Sequence, residues 1–225
     1  MKKTLILVVL MLFVASPAFA LITGSKHDLS AAGGVYTGGV SQASCQYCHT
    51  PHHAVSASAP LWNKTLTTTS FTLYGGGTTA SNSTVSQPGD NSLTCLTCHD
   101  GTLNVGDVVT GTSDTIVLAT VLTGGQMDSG ADGYIGTDLA DTHPVGVVYD
   151  SAKVGSLAGL NSTTAAAGSS DFTIGGKNWR IYAGDDGTGT VQCGSCHDPH
   201  NTTTGEEPFL KDTKNTICSD CHSAK

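Results

Sequence analysis

The chain has 225 residues, a formal net charge of −8 and only 12% charged residues. This acidic balance argues against a nucleic-acid-binding protein and against binding to anionic membrane surfaces. Glycine, serine and threonine are abundant and aromatic residues make up only 6% of the chain, so side chains alone would struggle to build a dense hydrophobic core.

The first 20 residues have the features of a secretory signal peptide. A basic start, Lys2-Lys3, precedes an apolar run over residues 5–14 and an A-x-A end at Ala20. The apolar run is too short to span a bilayer, and no comparable run follows. We therefore expect an exported protein without a membrane span, with residues 21–225 as a single domain. Its predicted location is extracellular or at the cell surface, with the periplasm as the alternative.

Four copies of one short motif contain every cysteine of the chain. In each copy two cysteines are separated by two residues and a histidine follows the second cysteine directly. The motifs are Cys45, Cys48 and His49; Cys95, Cys98 and His99; Cys193, Cys196 and His197; and Cys218, Cys221 and His222. This is the attachment pattern of c-type haem, in which both sulfurs bond to the porphyrin and the histidine is the proximal iron ligand. The sequence therefore predicts four haem c groups.

Three other uses of paired cysteines are weaker interpretations. A zinc site, a disulfide framework and a thioredoxin-like redox pair each explain two nearby cysteines. None of them requires a histidine after the second cysteine. Histidine accounts for 9 of 225 residues, so four such neighbours by chance have odds on the order of 10⁻⁶.

Little regular secondary structure is predicted outside the motifs. Paired glycines favour coil over residues 21–44, and helix is expected only as single turns around each motif. Short strands are predicted at 71–74, 105–109, 115–122, 145–149, 172–174 and 178–182. The expected fold is therefore mostly irregular, with short helices at the haem motifs, a few short strands and the chain of haems as its core. We also predict that the haem-free chain is largely unfolded.

The remaining histidines are the candidates for the distal iron ligands: His27, His52, His53, His143 and His200. Methionine is the usual alternative, but only Met127 remains after the signal peptide, so we expect bis-histidine ligation and low reduction potentials. His52 and His200 follow their own proximal histidines by three residues. From that position each lies on the proximal side of its own haem, and reaches the distal face of a neighbouring haem instead. Five candidates for four sites leave one spare, or one donated to another subunit.

This organisation resembles the extracellular tetrahaem cytochromes of the OmcE type, which polymerise into conducting filaments. The resemblance is carried by the signal peptide, the four C-x-x-C-H motifs, the C-H-T-P-H-H stretch at residues 48–53, the long haem-free middle and the closely spaced final pair. It implies a continuous chain of bis-histidine haems along a filament of identical subunits, with one ligand histidine donated by a neighbouring subunit. Electrons would pass to redox partner proteins or to extracellular acceptors.

Three functions are compatible with four haem motifs and five further histidines. The leading hypothesis is an electron conduit without enzymatic activity, in which the protein fixes haem spacing and tunes potentials. The second is a soluble periplasmic tetrahaem shuttle. The third, a multihaem reductase, needs an iron with an open position, whereas the distal histidines suffice for every iron.

Overall fold

The computed structural model describes residues 22, 25–30, 43–55, 60–79, 83–111, 122–149, 159–161, 163–165, 171–174, 177–183, 189–201 and 209–223. Most of these residues are in turns, bends and coil, joined by short helices and strands. The expected mostly irregular fold is therefore confirmed. The expected signal peptide, residues 1–20, lies outside the described residues.

Each cysteine motif lies on a helical turn. The first begins inside the 3₁₀ helix Ser44–Tyr47, and the others lie on α1 (Asp90–His99), α2 (Cys193–Cys196) and α3 (Ile217–Cys221). The expectation of single turns was wrong for α1, which has 10 residues. Gly89 caps it in an extended conformation, and Asp90 complements the positive N-terminal end of the helix dipole. A further 3₁₀ turn covers Tyr74–Gly76.

The strands form three small antiparallel sheets. β1 (Leu122–Thr123) pairs with β2 (Gln126–Met127). The second sheet has the order β4-β5-β6, from Thr163–Ala165, Asp171–Ile174 and Lys177–Arg180. The third has the order β3-β8-β7, from Val147–Val148, Gly189–Val191 and Tyr182–Ala183. The strand Val147–Val148 falls within the predicted run 145–149, and the strands Asp171–Ile174 and Lys177–Arg180 overlap the runs predicted at 172–174 and 178–182.

Two of the predicted strands are wrong. Residues 105–109 form turns and bends, because the Lys64 ammonium binds the carbonyls of Val105 and Asp107 that a strand ladder would use. Residues 71–74 provide only an isolated bridge at Thr72 before the 3₁₀ turn. Most of the strand predicted at 115–122 lies outside the described residues.

Most of the buried apolar side chains of the described residues fall into three separate clusters. The first contains Leu29, Tyr47 and Val105 and packs against two motif cysteines; the second contains Phe71, Leu96 and Leu139; the third contains Ile174, Trp179 and Ile181 and packs against Cys221. No cluster has more than three fully buried members among these residues. Their small size fits the expectation that side chains alone do not form one dense core.

No helix in the described part of the chain is both long and apolar enough to cross a membrane.

Candidate haem-binding sites

The first motif forms a tight turn that fixes its histidine. The amide of His49 donates to the carbonyl of Cys45 over 2.8 Å, and Tyr47 between the cysteines is fully buried. Nδ1 of His49 lies 2.7 Å from the carbonyl oxygen of Pro60. A carbonyl oxygen only accepts, so Nδ1 carries the proton and Nε2 keeps its lone pair for a metal.

The second motif ends α1 and repeats this arrangement. Nδ1 of His99 lies 2.6 Å from the carbonyl oxygen of Gly133, so its Nε2 is again the ligating atom. Burial lowers the pKa of His99, although the bond to Gly133 opposes the decrease. The ring is thereby held neutral, which is the form that binds metals.

The third and fourth motifs are anchored by backbone bridges. His197 pairs with Leu210, and His222 pairs with Leu160. The amides of His197 and His222 donate to the carbonyls of Cys193 and Cys218 respectively. Both proximal histidines are thus fixed in the turn geometry seen at the first motif.

Three proximal histidines each face one candidate distal histidine. The ring centres of His27 and His99 lie 6.0 Å apart, those of His49 and His200 also 6.0 Å, and those of His143 and His222 6.4 Å. Two imidazoles that bind one metal from opposite sides are separated by two metal–nitrogen bonds of about 2 Å plus the radii of both rings. The observed separations match this arrangement, so the residues fit a bis-histidine haem iron.

His200 occupies the position that its spacing indicates. It follows the third proximal histidine by three residues, yet its ring lies over His49 of the first motif. The first and third motifs are therefore brought together in the fold. Nδ1 of His200 also lies 3.4 Å from Asp198.

His27 is the most deeply buried of these distal candidates. Burial lowers its pKa to about 4, and the nearby rings of His99, His200 and His197 add to the decrease. The ring of Phe209 stacks on it at 4.6 Å, with 9° between the planes. Burial also lowers the pKa of His143. Both distal candidates are held as neutral imidazoles.

His52 and His53 are exposed at the surface, as are His143 and His200, whereas His27 is half-buried. Among the described residues neither ring lies against a proximal histidine ring. His53 has a φ of 60°, in the left-handed region, and the preceding carbonyl accepts a bond from Thr50. Both side chains therefore project from one tight turn directly after the first motif.

None of the eight cysteines forms a disulfide, and neighbouring motifs lie close enough for their cysteines to influence one another. Burial raises the pKa of Cys48 to about 12, and Cys98 adds to the increase. A hydrogen bond with Cys193 raises the pKa of Cys95 and lowers that of Cys193 to about 7. Burial raises the pKa of Cys221 to about 12, with Cys196 contributing. Motifs one and two, two and three, and three and four are thus adjacent.

The contact between the second and third motifs is tied by polar side chains. The amides of Cys193 and Gly194 donate to Ser92 and Asn91 at the start of α1, over 3.0 and 2.8 Å. The Ser92 hydroxyl in turn donates to the side chain of Gln192 over 2.5 Å. These bonds fix the relative position of two attachment sites.

Several residues of the sites were not predicted from the sequence. The carbonyls of Pro60 and Gly133 orient proximal rings, and Lys64 lies beside the first two motifs. Backbone carbonyl contacts leave no sequence signature. Trp62, an aromatic residue that the sequence indicates either for a haem edge or for ordinary packing, lies edge-on against His49.

A comparison with protein families matched residues 187–225 to the doubled CXXCH motif family. That match covers the third and fourth motifs and indicates a c-type-cytochrome-like protein with more than one haem motif. No curated protein matched the chain significantly.

Proposed function

We propose that the chain is an electron-transfer protein that carries four covalently attached bis-histidine haems and has no enzymatic activity. The observation that carries this proposal is the facing of His27 with His99, His49 with His200, and His143 with His222 at the separation of two ligands on one metal. The doubled CXXCH match supports covalent haem attachment.

Haem c supplies reversible one-electron transfer, and the chain's own residues set its conditions. Carbonyls fix the proximal rings of His49 and His99, and burial keeps His27 neutral. At the three irons with paired histidines no position is open for a substrate, which favours transfer over catalysis. Ligation without methionine favours low potentials.

The first test counts the haems and their ligands. The purified holoprotein should contain four haems per chain by the pyridine haemochrome assay and show only low-spin ferric signals in electron paramagnetic resonance. It should take up and release electrons reversibly at an electrode. Fewer than four haems would refute the count, and a high-spin signal in a native preparation would reopen the reductase hypothesis.

The second part of the proposal is assembly into an extracellular filament of identical subunits. Four irons need four distal histidines, and His27, His143 and His200 face three proximal rings. The other two histidines, His52 and His53, are exposed. One of them binds the haem of the third motif in a neighbouring copy, so that the haem chain continues between subunits towards extracellular acceptors.

The surface around this turn supports contact with another copy. Val55 and Leu61, 45% and 51% exposed, are two of the large apolar side chains that the described part of the chain leaves at its surface. The amide of Val55 donates to the carbonyl of Trp62 and that of Thr50 to the carbonyl of Leu61, so both side chains are held beside the exposed histidines. An apolar surface next to a metal ligand favours burial against a partner.

Electron cryo-microscopy of His52→Ala and His53→Ala tests the assembly. One variant should lose filaments and gain one high-spin haem per chain, while the other keeps both properties and serves as its matched control. Single-chain particles in the native protein would refute the filament and favour the soluble shuttle. Unaltered filaments in both variants would refute the donated ligand.

A further inference from the structure

Lys64 places an ammonium group inside the protein, beside two haem attachment motifs. Its side chain is among the most buried polar groups, at 3% exposure. It donates to the carbonyls of Val105 and Asp107 over 2.5 and 2.6 Å. Among the described residues no carboxylate lies within ion-pair distance of it, so its bonds go to neutral groups.

The ammonium lies next to both motifs. Val105, whose carbonyl accepts a hydrogen bond from Lys64, belongs to the buried cluster with Leu29 and Tyr47 that packs against Cys48 and Cys98. Lys64 therefore places a positive charge where the first two motifs meet.

A hydrogen-bonding role alone does not require a charge at this position. The adjacent Asn63, equally buried, binds the carbonyls of Gln46 and Thr110 with a neutral amide. Burial of an ammonium costs desolvation free energy that a neutral donor would largely avoid. The retained charge therefore points to an electrostatic role.

We propose that Lys64 raises the reduction potentials of the haems on the first and second motifs, by holding a buried positive charge beside their attachment cysteines. The inference rests on the proposed haem attachment. Reduction adds one negative charge to each haem, and a nearby positive charge stabilises the reduced state. The interaction is strong because the site has a low dielectric, and salt screens it little because it is buried.

The experiment is a spectroelectrochemical redox titration of the holoprotein and of Lys64→Met, at low and high ionic strength. In Lys64→Met, the reduction potentials of the haems on the first and second motifs should be lower than in the native protein, and this decrease should persist at high salt. Lys214→Met removes a charge from an exposed position, and its smaller shift should vanish at high salt.

Two more variants separate charge from packing. Lys64→Gln is a second neutral variant in case Lys64→Met does not fold, and it should also lower the reduction potentials of these haems. Lys64→Arg keeps the charge and should titrate like the native protein. Unchanged reduction potentials in the neutral variants would overturn the proposal. A decrease in Lys64→Arg as large as that in the neutral variants would also overturn it. The haem content of the native protein and of each variant is measured in parallel. A native protein without haem would refute the proposed function, whereas unchanged potentials in variants with full haem content would refute only the role of Lys64.

Discussion

Replacing Asn63 with alanine should destabilise the holoprotein by about 3 kcal/mol. The side chain, 1% exposed, donates to the carbonyls of Gln46 and Thr110 over 2.7 and 2.9 Å and accepts from the Thr110 amide over 2.8 Å. Each such bond contributes about 1 kcal/mol, and the backbone groups left behind are poorly placed to reach water. The three lost hydrogen bonds are those that connect the first motif to the 104–110 loop.

The assay is guanidinium unfolding of the holoprotein, followed by far-ultraviolet circular dichroism. Asn178→Ala is the matched control, because that exposed side chain accepts one bond from Thr173 and should cost less than about 0.5 kcal/mol. If Asn63→Ala costs less than about 1 kcal/mol, the three bonds do not hold the motif to the loop, and the reasoning is refuted.

Three further predictions concern backbone, ligand orientation and haem. Gly146→Ala should destabilise the holoprotein by about 3 kcal/mol in the same unfolding assay, because φ is +74° and a Cβ would overlap the Ser86 carbonyl. Gly124→Ala is the control: its φ is also positive but the space around it is open, so it should cost about 1 kcal/mol. Equal losses of stability in the two variants would contradict the steric argument. Phe209→Ala should broaden one ferric low-spin resonance, because the His27 ring loses its stacking partner, and Phe209→Tyr should leave the spectrum unchanged. The haem-free chain should lack a cooperative thermal transition in circular dichroism; a sharp transition would show a core that does not need haem.

The sequence predicted the attachment sites because their chemistry is local. Two cysteines and a histidine within five residues suffice to identify each motif, and the spacing of His200 predicted that it serves a neighbouring haem. The three facing pairs join distant positions such as His49 and His200, so their identity depends on the fold. The sequence offered no rule for choosing among five candidate histidines.

The wrong predictions have a physical reason. Val105–Val109 has the composition of a strand, but the ammonium of Lys64 binds the carbonyls of Val105 and Asp107, which would otherwise accept hydrogen bonds from a neighbouring strand. Lys64 lies 41 residues before Val105 in the chain. An isolated Lys64 in a polar segment gives no sequence signal for this role. The length of α1 was missed because propensity predicts little helix in a chain rich in threonine and serine.

The facing histidines also determine how the chain is linked to itself. On the proposed ligation, iron joins position 27 to 99, 49 to 200, and 143 to 222. Because each interval overlaps the next, every peptide bond between residues 27 and 222 lies inside at least one closed loop. A protease that cuts one surface segment would therefore leave two fragments held together, which suits the extracellular location proposed above.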